Sequence, residues 1–409
     1  MVNQAPNAQP LTELSAVDWA SMEHAYGSAV DVPDMLQRLV AAGSEARAEA
    51  RAALLHALNH QGVRRFESTL AAVPFLVGLL ADPASPERGK LARLLAEFAV
   101  GDSWWFQHDG FHPQLQPDFD HCSRPKASSH VSGGGVHIRT FPEPGQGHDM
   151  RPGSQQLAIY EAIGAGVETY AELCDVGADP ATRCGAAYLL AWLTPWSGSA
   201  APALARLTED TDPIVRATGW LALSHATKRD EDRVQETVDR LRSAWRNLTD
   251  PLERRAAALA LVRIERPEDS DLVRPTLRDG IREGLRPVRQ HDHFPWERVD
   301  GAAFVFCTLY LGSAPPDRDE VLDAAVAGFG RVQDPDEAAD LARWLCTLSV
   351  PDLEIPTPTP RDFEPPELQT LSALAAHGPA WHYADVSELL RIRGLPTTQA
   401  QLVAWLRSP

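Results

Sequence analysis

Residues 212–226 read DPIVRATGWLALSHA, and this stretch restricts the fold more than any other. An aspartate carboxylate accepts from the free N–H groups that open a helix, and proline suits the first helical position because it has no N–H to leave unpaired. Asp212 and Pro213 therefore predict a helix start. Arg216 follows one turn later, and Val215, Gly219, Leu221, Leu223 and Ala226 supply small and branched apolar residues for burial. The phrase returns on both sides. Asp179-Pro180 leads to Arg183 and then AAYLLAWL, and Asp250-Pro251 leads to Arg254 and then AAALALVRI. The three aspartates stand 33 and 38 residues apart, and in each copy the arginine comes four residues after the aspartate. Looser echoes begin at Asp82-Pro83 and Asp334-Pro335. Each period is long enough for two helices. The prediction is an all-α chain whose helical hairpins stack as an α-solenoid, each covering the apolar face of the next.

Bulk properties narrow the partners. A chain of 409 residues exceeds one ordinary core and fits several domains or one elongated array. Apolar residues make up 44%, enough for a continuous core. The formal charge of −18 argues against a nucleic-acid backbone or an anionic membrane surface, which both require clustered Lys and Arg. No apolar run is long enough to predict a membrane span, and the opening MVNQAPNAQPLTELSAVDW predicts no secretory signal. The five cysteines, at 122, 174, 184, 307 and 346, include no CxxC pair. Cys174, Cys184, Cys307 and Cys346 lie in apolar, helical surroundings and read as small core residues in a reducing, cytoplasmic setting.

Residues 1–101 read as N-terminal helical hairpins. Trp19, Met22 and Tyr26 fall at helical spacing, and Glu45 to Leu58 is rich in Ala, Leu and Arg. Asn59-His60-Gln61-Gly62 is expected to end that helix as a glycine C-cap, and Pro74 to kink the next helix or shift its start. Residues 102–152 then interrupt the helical period with six of the fourteen histidines, Trp104-Trp105 and Gly133-Gly134-Gly135. Loops of this length are usually functional or disordered. Residues 153–350 resume the repeat array, 351–366 form a proline-rich, extended connector, and 367–409 supply short helices suited to cap the last apolar face.

The DPxxR-AAxxLAxL phrase resembles HEAT repeats. The resemblance covers roughly residues 15–101 and 155–350 and implies paired helices stacked into a curved solenoid with a concave binding face. Arg183, Arg216 and Arg254 match the arginine position of that family. The acidic partner it tends to place six residues earlier appears as Asp210. The segments EHAYGSAVDVPDML and NHQG, the latter followed by STLAAVPFL, are also similar to a group of uncharacterised bacterial HEAT-repeat proteins, in which His60-Gln61-Gly62 recurs.

Candidate chemistry is sparse. His108 and His112 have the i, i+4 spacing of helical zinc ligands, and His121-Cys122 lies nearby. Gly110 sits inside the pair, however, no glutamate follows His108, and Pro113 ends any helix there. The triple glycine lacks the GK[ST] ending and the strand-to-helix setting of a phosphate loop. A Cys/His pair among His121, Cys122 and His130 would need a lowered thiol pKa and a geometry that sequence does not reveal. His24, His56 and His60 cluster near the N-terminus, either as caps and turn residues or as a binding rim. Trp104 and Trp105 point to opposite sides if extended, which leaves one available as an exposed anchor.

With no complete catalytic constellation, the expected function is non-enzymatic binding of a protein partner, without metal or other cofactor, through the concave face and the insertion. Trp104, Trp105, His108, His112, His121, His24, His60 and Gln61 are the candidate contact residues. Three alternatives stand beside it. One is an immunity-type inhibitor of a basic toxin or enzyme, which the negative charge would steer. The second is an enzyme with a His/Cys site in the insertion, and the third is a DNA glycosylase of HEAT-like fold, which the acidic composition disfavours. The broken helical period makes a direct prediction. Replacing residues 107–150 by a short Gly/Ser linker should leave helicity and cooperative melting nearly intact while abolishing partner capture, as circular dichroism and a pull-down would read.

Overall fold

The computed structural model describes residues 11–60, 62, 64–101, 152–264, 272–276, 278–279, 293–296, 318–350, 358–382 and 384–408. Among these residues helix dominates, and strand is confined to two hairpins with two residues on each side. The chain divides into two compact units, residues 1–244 with 293–295, and residues 245–292 with 296–409. That division falls inside the 153–350 stretch, which the sequence reads as one array.

In the first unit, 3-10 turns at Leu11–Ala16 and Trp19–Ser21 precede strands β1 (Glu23–His24) and β2 (Gly27–Ser28). Helices α1 (Val32–Arg38) and α2 (Ser44–Leu58) follow, then strands β3 (Asn59–His60) and β4 (Arg64–Arg65). Next come α3 (Glu67–Ala81), α4 (Arg88–Val100), α5 (Pro152–Gly164), α6 (Val167–Glu172), α7 (Pro180–Trp192), α8 (Ser197–Leu207) and α9 (Pro213–Thr227). Helix α10 (Val234–Asn247) carries the chain to the division between the units. Helix α4 packs on α7 and α7 on α9, while α3 packs on α5 and α6 on α8. Crosswise contacts of α3 with α4, α6 with α7 and α8 with α9 join the two rows.

Glycine permits the closest of these approaches. A Cβ on Gly185 would run into the backbone of Gly89, and one on Gly89 would meet the Ala181 carbonyl, so α4 and α7 touch backbone to backbone. Around this contact the core is continuous: Phe98, Cys184, Leu189, Trp192 and Val215 are buried, as is Trp220. The Tyr160 hydroxyl donates to the Trp192 carbonyl at 2.8 Å, which pairs the one polar atom this large side chain brings inside.

All three repeated aspartates cap their helices from extended backbone. Asp179 accepts from the Thr182 N–H at 3.0 Å, Asp212 from Ile214 at 2.8 Å and Asp250 from Glu253 at 2.9 Å. The arginine of the first copy reaches the next one. Arg183 Nη2 donates to Asp210 Oδ1 and its Nε lies 3.0 Å from Oδ2, with the two side chains 7% and 3% exposed. Asp210 Oδ1 also accepts from the Asp212 N–H at 2.9 Å, and the Asp210 carbonyl accepts from Arg216 Nη1 at 2.8 Å. Asp210 thus pairs through its carboxylate with the arginine one copy upstream and through its backbone carbonyl with Arg216.

The second unit holds α11 (Pro251–Arg263), α12 (Arg318–Phe329), α13 (Pro335–Ser349), α14 (Pro365–Ala376), α15 (Ala384–Ile392) and α16 (Gln399–Leu406). Helix α13 packs on α12, α14 and α15, and α14 packs on α16. Polar side chains close the loops between them: Arg393 Nε donates to the Val350 carbonyl at 3.0 Å, and Trp405 Nε1 to the Pro358 carbonyl at 2.9 Å.

Two local expectations change. Trp19, Met22 and Tyr26 do not share a helix face, since Trp19 lies in a 3-10 turn and Tyr26 at the tip of the β1–β2 hairpin. The NHQG stretch does not form a glycine C-cap. Helix α2 ends at Leu58, Asn59 turns extended, and its amide donates to the Glu97 and Gly101 carbonyls at the end of α4. Pro74 lies inside α3, which starts at Glu67.

The buried pair and the caps make separable predictions. Asp210→Ala leaves Arg183 buried and unpaired and should cost about 3–5 kcal/mol, whereas Asp212→Ala should cost about 1 kcal/mol as a lost cap. Denaturation midpoints would rank them, and equal losses would show that the ion pair adds nothing beyond capping.

Candidate functional site

Two polar clusters at the N-terminal end stand apart from the helix packing, and the first is a rim of imidazoles around an exposed tyrosine. The β1–β2 hairpin pairs Glu23 with Ser28 and His24 with Gly27, leaving Ala25 and Tyr26 at its tip. Gly27 takes φ +131°, a conformation that L side chains rarely adopt, so glycine is required directly after the tyrosine. The tip is tied down by the Ala25 N–H, which donates to the Ala57 carbonyl of α2 at 3.0 Å, and by Ser68 Oγ of α3, which donates to the Glu23 carbonyl at 2.8 Å.

His24 fixes the hairpin from inside. Its ring is buried, 7% exposed as a residue, and its Nδ1 accepts from the Tyr26 backbone N–H at 3.0 Å. A backbone N–H only donates, so Nδ1 bears no proton and the proton sits on Nε2. Nε2 then donates to Asp31 Oδ1 at 2.8 Å. Both nitrogens are engaged, and the imidazole is neutral in this arrangement. Asp31 therefore gains no positive partner from it, and its side chain is 50% exposed.

Tyr26 is the projecting residue. It is 68% exposed, with the His60 ring edge-on at 5.8 Å and the His24 ring at 6.2 Å. His60 comes from β3, which pairs with β4 at His60–Arg64 and Asn59–Arg65. Arg64 lies over the Phe66 ring at 5.0 Å. Val30, just past the hairpin, is a second exposed apolar side chain.

The second cluster joins α2 to the start of α4. Glu87 has φ 52° and ψ 39°, left-handed backbone that a non-glycine residue takes at a cost of about 1–3 kcal/mol. Its carboxylate accepts from Arg47 Nε at 2.8 Å, Arg51 Nη1 at 2.7 Å and Lys90 Nζ at 2.6 Å. Burial alone would raise its pKa, but the hydrogen bonds from Lys90, Arg47 and Arg51 outweigh that and hold it at about 2. The strained residue is thus locked by charge.

Of the candidate residues, the structure brings His24 and His60 to one rim, with His24 inside it and His60 half-buried beside Tyr26. Gln61, Trp104, Trp105, His108, His112 and His121 lie outside the described residues. Sequence reasoning missed Tyr26 and Asp31. The available signal was Tyr26-Gly27-Ser28, a turn sequence that interrupts the helical spacing of Trp19 and Met22. Among the described residues no three His, Cys, Asp or Glu side chains converge as a metal would need, and no helix is long and apolar enough to cross a membrane. The described cysteines Cys174, Cys184 and Cys346 are free thiols in the core, and burial pushes all three up, Cys184 and Cys346 to about 12. No family model, curated protein or solved structure matches the chain.

Glu87 sets a pH dependence. Its folded pKa is depressed from 4.5 to about 2, so its contribution is fully present above about pH 4.5 and lost as pH falls toward 2. Glu87→Gln should therefore be less stable than the wild type at pH 7 by about 1–2 kcal/mol once solvent screening is allowed for, with the gap closing by about pH 2. Unfolding midpoints of both proteins across that range would check it, and a constant gap would assign the loss to packing instead of charge.

Proposed function

We propose that this chain is a non-enzymatic protein-binding scaffold, a HEAT-like solenoid that works through its concave face, the 102–152 insertion and the N-terminal rim around Tyr26. The solenoid reading is supported by the packing of α4 on α7 and α7 on α9, with the Arg183–Asp210 pair bridging successive copies of the repeated phrase. The binding reading rests on one observation: Tyr26 is 68% exposed on a hairpin that four separate hydrogen bonds hold in place. An exposed, pre-ordered tyrosine offers a large contact area with little entropy left to lose, which is why aromatic residues dominate interface energetics. The hydrogen bonds on both His24 nitrogens hold the hairpin, so His24 shapes the surface and does not serve as a base. The protein acts in the cytoplasm on this reading, as its buried free thiols fit.

Tagged full-length protein used as bait in its native cytosol should retain a stoichiometric protein partner, identified by mass spectrometry. Tyr26→Ala should lower recovery at least tenfold, the size expected of a central aromatic anchor. His60→Ala should lower it less, with melting unchanged for both. Equal recovery by Tyr26→Ala and wild type would remove the rim from the function.

A further inference from the structure

We infer that the Tyr26 rim receives a cationic side chain, an arginine or lysine carried by a basic segment of the partner. The inference rests on the protein-binding reading and specifies the chemistry of what is bound. It starts from the proton on His24. Because the Tyr26 N–H occupies Nδ1, the imidazole is neutral and its hydrogen bond to Asp31 leaves the carboxylate charge uncompensated. Asp31, half-exposed, is bonded to the imidazole whose ring lies 6.2 Å from that of Tyr26, which is 68% exposed. A ring face in that setting attracts a cation within about 6 Å of its centroid, and an adjacent carboxylate fixes the cation's direction.

The surroundings carry the same sign. Glu23 in the hairpin, Asp34 at the start of α1, and Glu67 at the start of α3 are exposed. Glu67 precedes Ser68, whose hydroxyl holds the Glu23 carbonyl, so it borders the same hairpin. Arg64 of β4 lies over Phe66, and the His60 ring stands perpendicular to that of Tyr26. The whole chain bears −18, which favours encounter with a basic segment from a distance. An acidic or purely apolar segment would leave Asp31 and Glu23 facing like charge or losing their water. The occupant is therefore a basic one.

The probe is an acetylated, amidated hexa-arginine peptide, titrated by calorimetry against full-length protein at low salt, with hexa-glutamate as control. Wild type should bind hexa-arginine and not hexa-glutamate. Tyr26→Ala should weaken binding roughly tenfold and Tyr26→Phe should restore it, because the ring face is what the cation meets. Asp31→Asn retains an oxygen that accepts from His24 while removing the charge, so it keeps the hairpin and tests the charge alone. It should weaken binding several-fold and reduce the salt dependence. If Tyr26→Ala disturbs the hairpin, Asp31→Asn and Tyr26→Phe still decide the matter. Hexa-arginine binding unchanged in both Tyr26→Ala and Asp31→Asn would mean diffuse attraction to an acidic surface and would overturn the inference, as would no binding by wild type. A native partner lost on Tyr26→Ala, yet retained equally at high salt and by Asp31→Asn, would also overturn it while leaving the protein-binding reading intact.

Discussion

Arg183 and Asp210 form a fully desolvated ion pair on which the register of the central helices depends. Arg183 stands in the first turn of α7 and Asp210 in the connection into α9, and the two side chains meet through paired contacts at 3.0 Å. Taking both charges out of water is expensive, so the pair is stable only because its other valences are filled. Arg183 also donates to the Ala178 carbonyl, while Asp210 receives the Asp212 N–H and offers its own carbonyl to Arg216. A shift of α9 by one residue would pull Asp210 away from Arg183 and strand a charge in the core. Gly89 and Gly185 add the complementary steric condition on the other side of α7, because their missing side chains let α4 approach at backbone distance.

The N-terminal end follows the same logic with different chemistry. Backbone conformations that are unfavourable in isolation are held there by polar contacts from neighbouring elements. Glu87 takes left-handed backbone with three cations on its carboxylate, and the Tyr26 tip is closed by His24 and Gly27. In the first case the strained residue is inward and structural. In the second the strained turn lifts an aromatic ring into solvent, where a passive loop would not maintain it. That contrast is why the rim carries the functional reading and the Glu87 cluster does not.

How much of this was legible in the sequence differs between residues. The caps at Asp179, Asp212 and Asp250 were readable because capping is decided within four residues of chain. The hairpins were not. Trp19, Met22 and Tyr26 have helical spacing, but the hydrogen bonds that open this segment come from Ala57 on α2 and Ser68 on α3, far away in sequence. Asn59 likewise ends α2 by reaching the carbonyls of Glu97 and Gly101, partners that local propensity does not contain.

The sequence by itself determined helix content, helix starts and the apolar faces, because each depends on short-range rules of dihedral preference and periodicity. It also named His24 and His60 as neighbours of interest, without saying which one faces solvent. Only the tertiary structure decided that His24 turns inward as a neutral ring, that Asp31 accepts from its Nε2, and that Tyr26 projects. Those outcomes follow from which N–H reaches which lone pair across elements separated by tens of residues. Only the tertiary structure, too, brought Arg183 to both oxygens of Asp210, because that contact spans 27 residues of chain.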